Sequence, residues 1–319
     1  VVQSSFTAGP RTFGDIVSDA IRLCRGNIPF LFKTLLAVSL IELAGEMVSL
    51  CGWYIVPRQS RKLVGMSWSV LLSLICIMLG MTISAIGQYL LTLRQLAIFR
   101  FWAGYAETYN EAYKFVWTKK FQILAIAGIT HVVFIGAAIF WIIEIATSIA
   151  FVHKTIFSIL GVIGVAVGIP AACLSLAACL FPLTLIAPAL AIEHRPFGSV
   201  VSSRLKFVQS NFIRAACFVI FVLSSLWLMS IVLNLPPSVL NGLDMLHNWM
   251  EFHDINKQTN VYIQYLVSIW GATANMLISP MAFLSFGLFY LDGRNRVDGL
   301  DIIRRLELIE KPINKDFQN

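Results

Sequence analysis

Two glutamates one helical turn apart, Glu42 and Glu46, stand in an otherwise apolar stretch of this 319-residue chain. Carboxylates are costly in hydrocarbon and usually face a helix bundle or a cavity, so a pair on one helical face could hold a proton or a cation. The other reading of the pair is a set of hydrogen-bonded glutamates that locks helix packing. Glu144 lies nearer the outer end of a later apolar run, where solvent is closer, and His131 is a lone histidine in the inner part of the same run. A lone histidine there reads as a helix–helix hydrogen bonder before it reads as a ligand. These four residues are the candidate ion or packing site. A second set, Arg22, Arg25, Arg195, Lys206, Arg294 and Arg296, flanks the apolar runs and suits lipid head groups. The chain carries no phosphate loop, nucleophile elbow, HExxH or CxxC, so neither a catalytic residue nor a metal ligand is assigned. Five of the six cysteines (Cys24, Cys51, Cys76, Cys173, Cys179 and Cys217) lie in or beside apolar runs and read as small buried hydrophobes.

The elements that must position these residues are long apolar helices. Hydrophobic residues make up 58% of the chain and charged ones 13%, about half the share of a soluble domain. Apolar runs cover roughly 28–56, 63–93, 121–152, 155–192, 212–240 and 260–291. Runs of this length cross a hydrocarbon core as helices, and they lack the short alternating pattern of a barrel. No signal-peptide pattern precedes the first run, and the opening Val1 suggests a missing initiator Met. The expected fold is therefore all-α and integral to a membrane, with about six transmembrane helices paired as three hairpins. The divisions are an interfacial helix (1–27), hairpin 1 (28–93), a connector (94–120), hairpin 2 (121–192), a connector (193–211), hairpin 3 (212–291) and a tail (292–319).

Charge sets the orientation. Nineteen of the 24 Lys and Arg fall on one side, in the termini, the two long connectors and, with Lys33 and Arg214, the adjoining ends of two apolar runs, and five fall in the remaining connections. The positive-inside rule then places both termini in the cytoplasm, with the Arg58–Lys62 cluster as a local violation. Thr155–Ile192 is 38 residues without a charge. It reads as one long tilted element kinked at Pro170, Pro182 or Pro188, because two crossings would reverse the charge bias. Gly164 and Gly168 within it have the GxxxG spacing of close helix packing.

The chain also resembles itself. Phe13-Gly14-Asp15-Ile16-Val17-Ser18 returns 184 residues later as Phe197-Gly198-Ser199-Val200-Val201-Ser202, and Glu111–Trp117 is a looser third copy. In the first copy Phe13, Ile16, Val17, Ala20, Ile21 and Cys24 form one helical stripe, and Thr12 and Asp15 have capping-box spacing. Phe197, Val200, Val201, Leu205 and Val208 form the second stripe; Tyr109, Ala112, Tyr113 and Val116 form the third. Each copy precedes a hairpin, as an interfacial helix with its apolar face towards lipid or the bundle.

The opening Phe-Gly-Asp-Ile-Val-Ser-Asp-Ala-Ile-Arg, the central Ala-Ile-Glu-His-Arg-Pro-Phe-Gly and the closing Phe-Tyr-Leu-Asp-Gly-Arg-Asn-Arg-Val-Asp-Gly-Leu-Asp resemble bacterial proteins of the glycerophosphoryl diester phosphodiesterase membrane-domain type. The resemblance implies a polytopic membrane protein without the catalytic phosphodiesterase domain. His194-Arg195 is similar to the His-Arg pair that opens the soluble enzyme's site. Pro196 follows it here, and neither the metal-binding Glu-Asn segment nor a second catalytic histidine comes after it.

The expected function is non-enzymatic: a scaffold, a lipid organiser, or an accessory subunit of a membrane assembly. The alternative is a transporter or lipid-translocating protein that uses Glu42 and Glu46. The expected partners are the bilayer and a larger membrane complex or a second copy of the chain. Nucleic acid is not among them, and no cofactor beyond bound phospholipid is expected. The carboxylate mechanism makes proteoliposome flux depend on both glutamates. Loss of flux in Glu42→Gln and Glu46→Gln would support it, and flux unchanged by both would remove it.

Overall fold

The computed structural model describes residues 11–55, 68–129, 185–252 and 261–297, with isolated helical positions at 132, 136 and 139. Every regular element among the described residues is an α-helix: α1 (Phe13–Gly26), α2 (Ile28–Ile55), α3 (Trp68–Trp102), α4 (Tyr109–Thr118), α5 (Lys120–Ile129), α6 (185–192), α7 (Phe197–Ser210), α8 (Phe212–Leu233), α9 (Leu235–Phe252) and α10 (Val261–Val297). Four stretches are long and apolar enough to cross a membrane: Ile28–Trp53, Leu71–Trp102, Phe212–Leu233 and Tyr262–Arg296. Large apolar side chains along them, among them Leu40, Trp53, Met78, Ile213 and Trp227, are exposed. So broad an apolar surface fits lipid and would be a liability in water. Of the other two expected spans, 121–152 is described as a helix only through Ile129 and 155–192 only over 185–192. Pro170, Pro182, Gly164 and Gly168 lie outside the described residues, and Pro188 lies within α6.

The boundaries differ from the sequence reading in three places. First, α3 continues past Leu93 to Trp102, because no glycine or proline interrupts 94–102. It stops at Gly104, whose φ of 79° suits glycine, with the Gly104 amide on the Phe101 carbonyl (3.1 Å) and the Tyr105 amide on the Arg100 carbonyl (3.2 Å). Arg94 and Arg100 are therefore helical residues rather than loop charges. Second, the run 212–240 breaks at Asn234, and the following connection is helical through Phe252. Pro236 and Pro237 explain the break, since proline is tolerated in a first helical turn and excluded from an interior. Third, α10 runs past 291 to Val297 with Pro280 inside it, so Asp292-Gly293-Arg294 is helical.

The described chain divides into two compact units. The first comprises residues up to Ala20, Leu96–Ser224 and the chain from Phe283; the second comprises Ile21–Gln95 and Ser225–Ala282.

In the second unit, α2 and α3 meet along a seam of small residues. A Cβ on Gly45 would collide with the Gly80 and Ser84 backbones, one on Gly80 with Gly45 and Ser49, and one on Gly52 with Ser73 and Ile77. The Ser73 hydroxyl donates to the Gly52 carbonyl at 2.6 Å. Such contact supplies the dense packing that holds helices together where lipid is as apolar as leucine.

In the first unit, Phe218 and Phe289 stack at 4.0 Å with Phe13 edge-on to both, 5.5 and 6.3 Å away. Gly287 lets the Phe99 ring lie against the α10 backbone. The stripes of the short helices are turned inward: Ile16, Val17 and Ala20 on α1, Ala112 and Val116 on α4, and Val200 on α7 are buried, and so is Cys24 in the part of α1 that belongs to the second unit. Leu205 departs from its stripe and is exposed, and the Val208 side chain lies outside the described set. Thr12 and Asp15 make the reciprocal cap that their spacing predicts: the Thr12 hydroxyl and amide donate to the Asp15 carboxylate at 2.6 and 3.0 Å, and the Asp15 amide donates to the Thr12 hydroxyl at 3.2 Å. The Thr12 hydroxyl, then its amide, holds the Asp15 carboxyl below its usual range. That contribution is present at neutral pH and is lost as pH falls through the lowered value, below about 4. Burial pushes the Cys24 thiol up to about 12, whereas Cys51 and Cys217 are exposed against expectation and Cys173 and Cys179 lie outside the described residues.

Gly45→Val or Gly80→Val is expected to destabilise the protein by about 1–3 kcal/mol or more, because the helices must separate to admit a side chain. Thermal unfolding in detergent checks this. Gly271→Ala, where a Cβ meets nothing within 4 Å, is expected to leave the midpoint unchanged or slightly raised.

Candidate functional site

Two residues of the candidate ion site, Glu42 and Glu46, lie among the described residues, one turn apart on α2. Glu42 is 5% exposed on α2, where its backbone and Cβ lie against Gly87 of α3 and its Oε1 accepts from Gln88 Nε2 at 3.1 Å. Glu46, one turn on, is half-buried. A hydrogen-bonded glutamate inside a tight helix seam serves packing first. Polar ties of the same kind recur in this unit, from Gln95 Nε2 to the Ser279 hydroxyl (2.7 Å) and from the Arg94 guanidinium to the Thr34 carbonyl. His131 and Glu144 lie outside the described residues.

The first unit gathers most of the remaining charge. Arg100 is 5% exposed and donates from Nη1 to the Ala191 and Ile192 carbonyls at 2.8 and 3.2 Å. These are the last carbonyls of α6, which have no acceptor role within the helix, so the guanidinium both caps it and complements its dipole. The same guanidinium lies 3.7 Å from the Phe115 ring centroid, and His194 meets that ring edge-on with centroids 4.7 Å apart.

Directly after α6 comes Glu193, 8% exposed. Its Oε1 accepts from Arg204 Nη2 of α7 at 2.5 Å and from the Tyr290 hydroxyl of α10 at 2.6 Å. The Arg204 guanidinium also lies over the Tyr290 ring at 4.8 Å. Asp292, 6% exposed, is a second buried acid on α10. It takes Arg214 of α8 at 2.8 Å, Arg296 one turn along at 3.0 Å, and the Arg11 amide at 3.3 Å. Glu193 pairs with Arg204 of α7, and Arg195, two residues after it, is exposed.

The turn after α6 borders a cavity of about 310 Å³ lined by Tyr105, Ile192, Glu193, His194, Arg195, Arg204 and Arg294. Arg294 Nη1 donates to the Tyr105 hydroxyl at 3.2 Å, and the Lys119 ammonium reaches the Arg195 carbonyl at 3.4 Å. The Arg195 side chain is exposed at this cavity. Three guanidiniums and one carboxylate line the cavity, which makes its lining net cationic.

Of the expected head-group residues, Arg195 and Arg294 meet in this cavity. Arg296 is bonded to Asp292 and to the Arg11 carbonyl, and Arg22, Arg25 and Lys206 are exposed elsewhere on α1 and α7. Sequence reasoning missed Tyr105, Tyr290 and Arg204 as site residues. Arg100 could have been found: an arginine between Phe99 and Phe101 in an apolar run must take buried carbonyls as partners. No protein-family model, curated protein or solved structure matches the chain.

Glu193→Ala leaves the Arg204 guanidinium buried without its carboxylate and is expected to cost about 3–5 kcal/mol. Tyr290→Phe removes one donor to a charged acceptor and is expected to cost about 1–3 kcal/mol. The double variant Glu193→Leu with Arg204→Met should recover most of the first loss in chemical or thermal unfolding. A double variant as unstable as Glu193→Ala would show that the pair is not the unit being held.

Proposed function

We propose that this chain is a non-enzymatic, multi-pass protein of a bacterial inner membrane that organises lipid at the cytoplasmic leaflet, as a scaffold or an accessory subunit of a larger assembly. The observation that carries the reading is the arginine-lined cavity of the first unit, set among helix ends and short amphipathic helices. Cationic side chains at such positions suit anionic lipid head groups. The proposed topology is six spans in three hairpins with both termini cytoplasmic. The four described apolar helices and the 19-to-5 division of Lys and Arg support it.

The internal repeat belongs to the same proposal. Helices α1 and α7 each have 14 residues, start 184 positions apart, and are followed by an asparagine (Asn27 or Asn211) and then by a long apolar helix. Thr12–Asp15 and Thr108–Glu111 cap α1 and α4 in a similar way. Kinship with the bacterial membrane-domain proteins that the helix-end motifs resemble accounts for these features without a catalytic domain. A transport reading takes second place, because Glu42 is held by Gln88 and Gly87 in the helix seam.

Single cysteines in a cysteine-free background test the topology. Glu107→Cys and Ser199→Cys should react with an impermeant maleimide only in inverted vesicles, and Ser60→Cys only in intact cells. Reaction of Glu107→Cys from outside would reverse the orientation. Protein extracted in native membrane discs should retain anionic phospholipid selectively or bring a partner with it; absence of both would remove the lipid-organising reading.

A further inference from the structure

We infer that the cavity bounded by Tyr105, His194, Arg195, Arg204 and Arg294 binds a phosphate group, carried either by the head of an anionic phospholipid or by a free phosphate ester. This inference rests on the lipid-organising reading and sharpens it to one site. The first argument is charge. Arg195, Arg204 and Arg294 line the cavity with one carboxylate, Glu193, whose Oε1 accepts from Arg204 and Tyr290 while its Oε2 is buried without a hydrogen-bond partner among the described residues. The lining as a whole is net cationic.

The second argument is unused hydrogen-bonding capacity. Arg204 Nε is shielded from solvent and has no partner among the described residues. Its guanidinium is held by Glu193 and by the Tyr290 ring at the edge of the cavity that Arg204 helps to line. The Tyr105 hydroxyl accepts from Arg294, which leaves the phenolic proton to donate. The exposed Arg195 side chain completes a set of donors in which planar guanidinium forks match phosphate oxygens two at a time.

The third argument is size. A cavity of about 310 Å³ lies at the small end of ligand pockets. It takes a phosphate with its glycerol or a similar small alcohol, and leaves acyl chains outside. Arg195 lies in the turn that α6 ends with Glu193, so the anchor of the buried ion pair and the anion donor are adjacent in the chain.

The test uses the full chain in two arms. In the lipid arm, nanodiscs of phosphatidylcholine mixed with phosphatidylglycerol are examined by native mass spectrometry for retained lipid. In the soluble arm, protein in phosphatidylcholine discs is titrated with sn-glycerol 3-phosphate and followed by its thermal midpoint. Saturable binding in either arm, weakened at least tenfold by Arg195→Gln and unchanged by Lys114→Gln on exposed α4, supports the site, and the arm that responds identifies the source. Arg195→Gln should keep the wild-type midpoint in phosphatidylcholine alone, which separates lost binding from lost folding. Equal weakening by Lys114→Gln would reduce the effect to diffuse surface charge and overturn the site. Phosphatidylglycerol retained undiminished by Arg195→Gln would also overturn it while leaving the lipid-organising reading standing. No binding in either arm would overturn the site as well.

Discussion

Burying a carboxylate costs several kcal/mol unless cationic and hydrogen-bonding partners surround it. The first unit buries two, Glu193 and Asp292, at the ends of apolar helices. Much else in that unit follows from satisfying them. Glu193 needs Arg204 from α7 and Tyr290 from α10, and Asp292 needs Arg214 from α8, Arg296 from its own helix and the amide that leads into α1. The partners come from α7, α8, α10 and the residue before α1, so the two acids tie the short helices to the long ones. Aromatic rings fill the space beside them, with Phe13, Phe218 and Phe289 in contact and the Arg214 guanidinium 5.7 Å from the Phe289 ring. A surplus of guanidinium groups near these acids is what gives the neighbouring cavity its preference for anions.

The second unit solves its packing problem differently. Its seam between α2 and α3 relies on glycine at 45, 52, 80 and 87 to bring backbones together. Water drives no association between helices that both face lipid, so contact density and a few internal hydrogen bonds must do it. Glu42 belongs to that set, bonded to Gln88 beside Gly87. The most conspicuous carboxylate of the sequence thus has its hydrogen-bond partner within the helix seam, whereas the acids buried in the first unit look in sequence like ordinary charges at the ends of apolar runs.

That contrast shows how far the residues could be read in advance. Helical class and membrane character were legible because apolar length alone decides them, and the Thr12–Asp15 cap because it needs only local spacing. The extension of α3 to Trp102 was obscured by counting Arg94 and Arg100 as loop charges, when both find carbonyl partners along helices. The Asn234 break was hidden inside a continuous apolar run, although Pro236 and Pro237 marked it. The pairing of Glu193 with Arg204, and not with Arg195, depends on tertiary approach: eleven residues and a turn separate the partners. Tyr105 and Arg294 are 189 positions apart, beyond any local pattern.

The proposed anion site in the first unit would link the buried acids to the proposed role at the lipid surface. The most direct measurement is a high-resolution electron cryomicroscopy map of the full chain in nanodiscs containing phosphatidylglycerol. Phosphate density within hydrogen-bonding distance of the Arg195 and Arg294 guanidiniums, absent from discs of an Arg195→Gln variant, is the expected result. A cavity that holds only water in both maps, with no ordered anionic lipid at the helix ends around it, would contradict it.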